Sequence, residues 1–191
     1  MEEAFQSDYK KRGARWGGAV TLPPLLDDAL VLETGCGNGK TLSALSSCTA
    51  VGVDISKEAV RLAGGKSAVV GDVRCLPFAD NVFDAVFCWH VLGHLLASDR
   101  ACAVSELFRV TKPGGSVFFK AFSTTDFRCG KGIEVEPYTF LRGDGMMTHY
   151  FEKAEVLALF GNGDVSENLW SMRVRGTDLP RGEILGIFCK R

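Results

Sequence analysis

Short apolar runs alternate along the chain with segments whose apolar residues recur at helical spacing. Four of these runs, at 29–33, 50–55, 68–73 and 85–89, have the length and composition of buried strands. A fifth run, Ser116–Phe122, follows a Pro-Gly-Gly sequence that ends a helix. Strands that alternate with helices predict a parallel sheet covered on both faces, so the expected fold class is α/β with right-handed crossovers.

Helices are predicted between these strands. Lys40–Cys48 contains helix-forming residues, and Ser56 is a candidate N-cap for a helix that begins at Lys57. Ser98 and Asp99 are the candidate cap of a longer helix. The apolar residues that share one face of that helix are Ala101, Val104, Leu107 and Phe108.

The second half of the chain breaks this alternation. The stretch 123–147 is glycine-containing and has little periodicity, which predicts a long functional loop or lid. A helix is predicted at Phe151–Phe160. The last two runs, Asn168–Val174 and Glu183–Lys190, are separated by turn-forming residues at 176–182, so they predict an antiparallel hairpin at the edge of the sheet.

The composition is that of one globular domain. The chain has 191 residues, of which 46% are hydrophobic and 24% charged, and this supports a proper core rather than a disordered chain. Within a single domain of 1–191, we expect an N-terminal cap segment at 1–28 and a substrate-side loop at 123–150. A net charge of -1 excludes histone-like binding through a global positive field.

The start of the chain does not have the pattern of a secretory signal. Glu2 and Glu3 stand where a secretory signal would be basic, and the longest uncharged, mostly apolar run, 85–98, is too short to cross a bilayer. The seven cysteines form no C-x-x-C pair. We therefore expect a soluble cytoplasmic protein with reduced thiols and no membrane association.

A glycine-rich turn from Glu33 to Gly39 joins the first predicted strand to the first helix. Glycines at alternate positions let the backbone approach a ligand closely. The spacing lacks the third glycine of G-x-G-x-x-G, and the Glu33 carboxylate would repel a diphosphate but attract an amino-acid ammonium. Both features disfavour a nicotinamide or nucleotide-sugar cofactor.

Two further acidic residues follow the next predicted strands. Asp54 can accept both hydroxyl groups of a ribose, although a strand-end cap would use the same carboxylate. Asp72 and Val73 place an acid and a free backbone at the same edge of the sheet, which suits the rim of an adenine. A ribose, an adenine and an amino-acid cation together describe S-adenosylmethionine.

Four segments occur in order along the chain: VLETGCGNGKTL, VGVDIS, GDVRCLPFADNVFDAVFCWHVLGHL and RVTKPGGSVFF. Together they resemble the class I S-adenosylmethionine-dependent methyltransferases, in the branch that includes the ubiquinone and menaquinone biosynthesis enzymes. The resemblance covers residues 29–122 and departs from the family pattern at Glu33, where aspartate is usual, and at Gly93, where a charged residue is frequent.

The resemblance implies a Rossmann-like three-layer sandwich with a seven-stranded, mostly parallel sheet of order 3-2-1-4-5-7-6, in which strand 7 is antiparallel. It also implies S-adenosylmethionine as the cofactor and S-adenosylhomocysteine as the product. The cofactor contacts that we assign with it are Glu33, Gly35, Cys36, Gly37, Gly39, Asp54, Ile55, Asp72, Val73 and Cys88.

The residues after the fourth predicted strand should face the transferring methyl group, because ligands of open α/β sheets lie at the carboxyl ends of strands. His90 is the catalytic candidate there, either to orient a nucleophile or to take its proton, and helix packing would explain it equally well. His94, one helical turn later, is expected to pack. The pair is not predicted to be a metal site, because the sequence offers no obvious third ligand.

Two other segments are candidate walls of the substrate site. In the later one, His149 is preferred to Arg142 as a second catalytic residue. The amino-terminal segment Tyr9–Trp16 combines aromatic and basic side chains that either fold over the cofactor or form a solvated helix.

The leading functional prediction is methyl transfer to a small or medium metabolite by in-line displacement. The alternative is a tRNA or translation-factor methyltransferase, which in some cases works with a small zinc-binding activator protein on the edge of the third strand. Its phosphate contacts would come from basic residues near the carboxyl end, Arg173, Arg175, Arg181, Lys190 and Arg191. A non-catalytic S-adenosylmethionine-binding module is the third hypothesis.

Overall fold

The computed structural model describes residues 2–13, 20–64 and 67–191. The helices are α1 (Glu2–Arg12), α2 (Lys40–Ala44), α3 (Lys57–Ala63), α4 (Ala97–Val110) and α5 (Lys153–Phe160). The strands are β1 (Leu30–Thr34), β2 (Thr49–Asp54), β3 (Ala68–Val70), β4 (Phe83–Trp89), β5 (Thr111–Phe122), β6 (Ile133–Glu136), β7 (Thr139–Leu141), β8 (Met147–His149), β9 (Asp164–Val174) and β10 (Thr177–Cys189).

Seven strands form one sheet in the order β3-β2-β1-β4-β5-β10-β9. Strands β1 to β5 pair in parallel, and β10 is antiparallel to both of its neighbours, β5 and β9. Counted within this sheet, the order is 3-2-1-4-5-7-6 with an antiparallel strand 7. The predicted Rossmann-like α/β fold is therefore confirmed.

The two faces of the sheet carry separate apolar cores. Leu32 and Phe119 point to the larger core, which α4 and α5 cover, whereas Val31 and Phe118 point to a smaller core on the opposite face. This alternation along β1 and β5 follows from the two-residue period of a strand. Burial of each such side chain contributes about 1.5–3 kcal/mol, and together these contacts fix where the carboxyl ends of the parallel strands lie.

Two predicted helix caps have different outcomes. Ser56 is the N-cap of α3, and its Oγ accepts a hydrogen bond from the Ala59 amide at 3.2 Å, as predicted. The prediction of Ser98 and Asp99 as the cap of α4 is wrong, because α4 begins at Ala97. The carboxylate of Glu136, in β6, accepts from the Ala97 amide at 3.1 and 3.2 Å, so a distant residue satisfies this helix end.

The stretch 123–150, expected to be a loop, contains a second, antiparallel sheet of order β6-β7-β8. Its strands have only three or four residues, too few to produce a recognisable two-residue period. The terminal hairpin also differs from its prediction, because β9 and β10 pair as far as Val174 and Thr177. The turn is confined to Arg175 and Gly176, with φ of 49° and 85°, which suits a tight hairpin.

The β9–β10 hairpin is longer than the strand that it pairs with in the main sheet. Strand β5 ends at Phe122, opposite Glu183, whereas β10 begins six residues earlier in the chain, at Thr177. Residues 177–182 of β10 therefore pair with β9 alone. This part of the hairpin projects beyond the carboxyl edge of the sheet.

The described part of the N-terminal segment is helix α1, which packs against α3. The Gln6 Oε1 atom accepts from the Ser56 hydroxyl at 2.8 Å and from the Glu58 amide at 3.1 Å. Arg15 and Trp16, in the predicted cap over the cofactor, lie outside the described residues. None of the helices in the described ranges is long and apolar enough to span a membrane.

Candidate functional site

The glycine-rich turn after β1 has the conformation that its glycines allow. Gly35, Gly37 and Gly39 have φ of 65°, 53° and 74°, a region that favours glycine. Asp54, which is predicted to bind the ribose, also has structural contacts here. Its Oδ2 accepts from the Gly37 amide and its Oδ1 from the Ser56 amide, both at 2.9 Å. Asp54 thus ties the turn after β1 to the end of β2.

Glu33 lies buried beneath this turn, with 5% of its surface exposed. Its Oε2 atom has no hydrogen-bond partner among the described residues. Burial raises the pKa of Glu33 to about 8, while hydrogen bonds from the Thr41 side chain and the Leu42 backbone act in the opposite direction. A buried carboxyl group with an unused oxygen suits a cationic ligand group, which would favour its charged form.

The turns after β1 and β4 lie in direct contact. A Cβ atom at Gly35 would overlap the side chain of Val91, so only glycine allows this approach. The glycine turn, Glu33 and Asp54 therefore lie at one carboxyl edge with the residues that follow β4. This is the edge at which open α/β sheets bind ligands.

Asp72 lies at the end of this edge, half-buried and ion-paired. The Arg74 guanidinium donates to both of its oxygens, and Arg74 also donates to Asp99 at 2.8 Å. These hydrogen bonds lower the pKa of the Asp72 carboxyl group although its burial opposes them. The adenine contact assigned to Asp72 and to the buried Val73 remains a prediction.

The cysteines assigned to the cofactor face the protein interior. Cys88 is fully buried in the larger core, and its burial raises the pKa of the thiol to about 12. The cofactor contact predicted for Cys88 remains a prediction. Cys36 is buried as well, and its amide donates to the Val53 carbonyl at 3.1 Å. The half-buried Ile55 follows Asp54 directly.

His90 follows β4 in a left-handed conformation, with φ of 58°. The amide of His90 donates to the Lys120 carbonyl at 2.7 Å, and its Nε2 lies 3.1 Å from Oε1 of Glu183, in β10. The ring centroid is 4.4 Å from that of Phe122. Its Nδ1 is buried without a hydrogen-bond partner among the described residues. Sequence reasoning missed Glu183, because only the β5–β10 register brings it to His90.

A second charged group lies beside Phe122 on the same edge. The Asp126 carboxylate, whose side chain is fully buried, binds Arg128 through Nε at 2.7 Å and Arg181 through Nε at 2.6 Å. The guanidinium carbons of Arg128 and Arg181 lie 3.9 and 5.0 Å from the centroid of the Phe122 ring. The exposed ring of Trp170 is 5.5 Å from Arg181. Of these residues, the sequence had indicated only Arg181.

His149 lines the recess beside His90, but its ring is hydrogen-bonded within the protein. His149 is 3% exposed. Its Nδ1 lies 2.7 Å from the Thr139 hydroxyl and its Nε2 lies 2.8 Å from Glu155. Since both ring nitrogens are used within the protein, these surroundings disfavour the catalytic role predicted for His149. Arg142 is exposed, and His94 packs against Phe5 with its Nδ1 bonded to the Met147 carbonyl.

The basic residues near the carboxyl end occupy two different edges. Arg173 and Arg175 are exposed on the projecting part of the hairpin, near Arg181. The Nζ of Lys190 instead donates to Asn81 and to the Thr111 carbonyl at 2.7 and 2.8 Å, at the amino end of β5. The phosphate contact predicted for Lys190, and for the adjacent Arg191, is thus on the wrong side of the sheet.

Comparison with known proteins gives consistent results. Residues 32–119 match a family model described as a methyltransferase domain. A tRNA (carboxymethyluridine(34)-5-O)-methyltransferase of Arabidopsis thaliana is 36% identical over 59% of this chain and 29% of its own length. A 2-methyl-6-phytyl-1,4-hydroquinone methyltransferase of Synechocystis is 33% identical over 63% of this chain and 40% of its length. The chain thus spans less than half the length of these curated relatives.

Solved structures share the fold. A crystal structure from Methanosarcina mazei, described as a SAM-dependent methyltransferase, superposes with a TM-score of 0.71 at 23% identity. The alignment covers 90% of this chain and all of that one. The family resemblance drawn from the four sequence segments is confirmed.

Proposed function

We propose that this chain, which resembles the class I S-adenosylmethionine-dependent methyltransferases, transfers the methyl group of S-adenosylmethionine to a nucleotide of tRNA. The observation that carries the choice of acceptor is the exposed cationic and aromatic surface beside His90. The curated relatives are named as methyltransferases, which favours methyl transfer over a non-catalytic S-adenosylmethionine-binding module.

The residues around the glycine turn fit this cofactor. Glu33, with its unused Oε2, is placed to hold the ammonium of the methionine part, and the turn allows close approach of the backbone. Asp54 is placed to accept from the ribose with the lone pairs that Gly37 and Ser56 leave. The bound cofactor supplies a methyl group already activated by its sulfonium.

The chain's own contribution to the reaction is to hold and desolvate the acceptor. His90 follows β4, where the methyl group is transferred in such folds, and Glu183 holds its ring in place. Two roles are open to His90: it orients the nucleophile, or it takes the nucleophile's proton.

The shape of the site favours a large acceptor. The recess beside His90, lined by His94, Phe122 and His149 among others, has a cavity volume of only about 10 Å³. Pockets that enclose small ligands usually measure ~300–1,000 Å³. A recess of this size does not enclose a small ligand, so most of an acceptor would rest on the outer surface.

That outer surface has the chemistry of a single-stranded nucleic-acid site. Trp170 is 41% exposed on the face of the hairpin that carries Arg181, whereas the exposed Arg173 lies on the opposite face of β9 and Arg175 lies at the turn. Exposed aromatic rings stack on bases and guanidinium groups bind phosphates, each in a sequence-tolerant way. Because the net charge is -1, affinity for RNA would have to come from local basic patches such as this one.

A small or medium metabolite is the second candidate acceptor. It is favoured by the relationship to the hydroquinone methyltransferase and by the aromatic wall that Phe122 gives to the recess. Such an acceptor would enter the recess beside His90 without contacting the hairpin. Substitutions of Arg173 and Arg175 would then leave the reaction unchanged.

The third-strand edge is a candidate site for an activator protein. Strand β3 pairs with β2 on one side only, and Val69 and Val70 are 41% and 45% exposed there. An unpaired, apolar edge strand is suited to adding a strand from another chain. We include such an activator protein in the proposal. The labelling assay should therefore be performed with and without a cell extract depleted of RNA, which would supply the activator.

The test is incubation of the protein with methyl-labelled S-adenosylmethionine and total RNA, protein and small-molecule fractions of a cell extract. We expect label in the RNA fraction that ribonuclease releases. The double substitution Arg173→Ser with Arg175→Ser should reduce that label at least about fivefold, whereas Arg61→Met, on exposed α3, should not. Label confined to the organic-extractable fraction would establish the metabolite hypothesis instead.

A further inference from the structure

The group formed by Asp126, Arg128 and Arg181 beside the Phe122 ring holds more positive than negative charge. One carboxylate, fully buried, binds two guanidinium groups that come from separate parts of the chain. We propose that Arg128 and Arg181 form an anion subsite that binds a carboxylate or phosphate group of the methyl acceptor, next to His90. This inference rests on the proposed methyl transfer and names the acceptor group that the site recognises.

The donors of the two arginines are only partly used. Asp126 accepts from Nε of both residues and, at 3.2 Å, from Nη2 of Arg128. Nη1 of Arg181 lies 3.5 Å from the sulfur of Met172, a weak acceptor. Arg128 Nη1 and Arg181 Nη2 have no hydrogen-bond partner within the described ranges. A guanidinium group can bind two anions at different edges, so both residues retain donors for a ligand.

The two guanidinium groups are held rigidly. Their planes lie against Phe122, at 3.9 and 5.0 Å from the ring centroid, and Arg181 also contacts Trp170. The Asp126 pKa is lowered because hydrogen bonds from Arg128 and Arg181 outweigh the effect of burial, so the carboxylate stays charged. Fixed donors lose little entropy when they bind an anion, and this increases affinity and specificity.

The triad of Asp126, Arg128 and Arg181 has a formal charge of +1. The Glu183 carboxyl group interacts with His90, Lys120 and Arg181, and the Glu167 carboxylate accepts from the Thr125 hydroxyl at 2.8 Å. The side chains of Arg128 and Arg181 are 22% and 11% exposed, so the site is partly desolvated and still open to a ligand. Since burying charged groups is costly, two arginines on one carboxylate are better explained by binding than by stability.

The position of the subsite connects it to the reaction. Phe122 contacts both guanidinium groups and also the ring of His90, at 4.4 Å. An anionic group held by the two arginines would thus lie one aromatic ring away from the residue that follows β4. The subsite stands at the base of the projecting hairpin, between the recess and the exposed surface.

The experiment is an NMR titration of the isotopically labelled chain that follows the side-chain signals of arginine. Sodium acetate and inorganic phosphate are added separately, at constant ionic strength, with sodium chloride as the comparison. We expect saturable shifts of the Arg128 and Arg181 signals with acetate, with phosphate or with both, and none with chloride. Saturable shifts with acetate alone would show that the subsite binds a carboxylate group, and shifts with phosphate alone would show that it binds a phosphate group. Equal shifts with chloride, or no shifts, would overturn the proposal.

Variants connect binding to turnover. Arg181→Met should abolish the saturable shifts and raise the KM for the acceptor about tenfold, the loss of one charge-assisted hydrogen bond, with little change in kcat. Arg181→Lys keeps the charge and should recover only part of the affinity, because it lacks the fork. The control Arg61→Met should retain the saturable shifts and leave the KM for the acceptor unchanged. Because the titration needs no acceptor, its failure is distinguishable from a failure of the RNA assay.

Discussion

Nε2 of His90 lies 3.1 Å from Oε1 of Glu183, so a residue that follows β4 is held by one in the antiparallel strand β10. The Glu183 pKa is lowered, since contacts with His90, Lys120 and Arg181 together outweigh its burial. A charged Glu183 accepts a hydrogen bond from the Nε2–H group of His90, and this contact orients the ring with Nδ1 on its other side. The orientation of His90 is thus set by the fold.

His90→Ala should separate catalysis from cofactor binding. His90 lies beyond the glycine turn and Asp54, so S-adenosylhomocysteine affinity, measured by calorimetry, should be nearly unchanged. Turnover should fall by ~10²–10⁴ if His90 takes a proton from the acceptor and by less if it only orients the nucleophile. Full activity in this variant, or a loss of cofactor affinity as large as that of Asp54→Ala, would contradict the assignment.

Glu183→Gln should lower turnover by up to roughly 100-fold, because a misplaced catalytic group can cost this much. The acceptor KM and the cofactor affinity should change little. Glu183→Asp, which retains the charge, should recover part of the rate. If Glu183→Gln and Glu183→Asp are equally impaired in thermal stability and turnover, Glu183 has a structural role only.

Asp54→Ala should weaken the binding of S-adenosylhomocysteine by roughly 1–3 kcal/mol. It should also destabilise the protein, because the Gly37 and Ser56 amides lose their acceptor. Calorimetry and denaturant unfolding measure the two effects. The sequence alone predicted the first effect. A variant that loses stability and keeps its affinity for the cofactor product would show that Asp54 only holds the turn.

Cofactor binding should depend on pH through Glu33. Its pKa of about 8 means that the folded, ligand-free protein carries a protonated Glu33 at neutral pH. A ligand ammonium favours the carboxylate, so affinity for S-adenosylhomocysteine should rise from pH 6.5 to 8.5, with release of a proton on binding. Calorimetry in buffers of different ionisation enthalpy measures this proton, and Glu33→Gln should remove it.

The same group has a consequence for stability. A pKa raised from 4.5 to about 8 on folding stabilises the folded state fully below 4.5, and this contribution is lost as the pH rises towards 8. Glu33→Gln should therefore reduce the fall in unfolding free energy between pH 5 and pH 8. An unchanged slope in urea unfolding would show that Glu33 is already ionised in the folded protein.

His149→Ala should affect stability more than chemistry. The substitution leaves Thr139 and Glu155 without their shared partner, which typically costs about 1–3 kcal/mol per buried polar group. Turnover at a temperature well below the unfolding transition should stay within a few-fold of the unsubstituted protein. A decrease of 10² or more with an intact fold would restore His149 as a catalytic candidate.

The part of the site that sequence predicts is local in the chain. The glycine turn, Glu33 and Asp54 each follow a strand directly, so strand positions suffice to bring them to one edge. Glu183 and Asp126 could not be predicted in this way. Their roles depend on the β5–β10 register and on contacts between residues 126 and 181, which periodicity does not encode.

The error in the secondary structure predicted for the stretch 123–150 has a similar origin. Strands β6 to β8 are stabilised by distant groups, such as the contact of Glu136 with the start of α4, rather than by their own pattern. Ser98 and Asp99 have side chains that can cap a helix, but α4 begins before them, and the Glu136 carboxylate from β6 accepts from the Ala97 amide instead. Tertiary contacts thus decided both outcomes.

The projecting end of the β9–β10 hairpin is structurally separate from the residues assigned to the cofactor. The residues assigned to the cofactor all lie at or before β4, whereas the far end of the hairpin pairs only with itself. Substitutions at exposed positions of this far end, such as Arg173, therefore leave both cores and the glycine turn undisturbed. Under the proposed function, the preference for the acceptor can change there while the cofactor site stays the same.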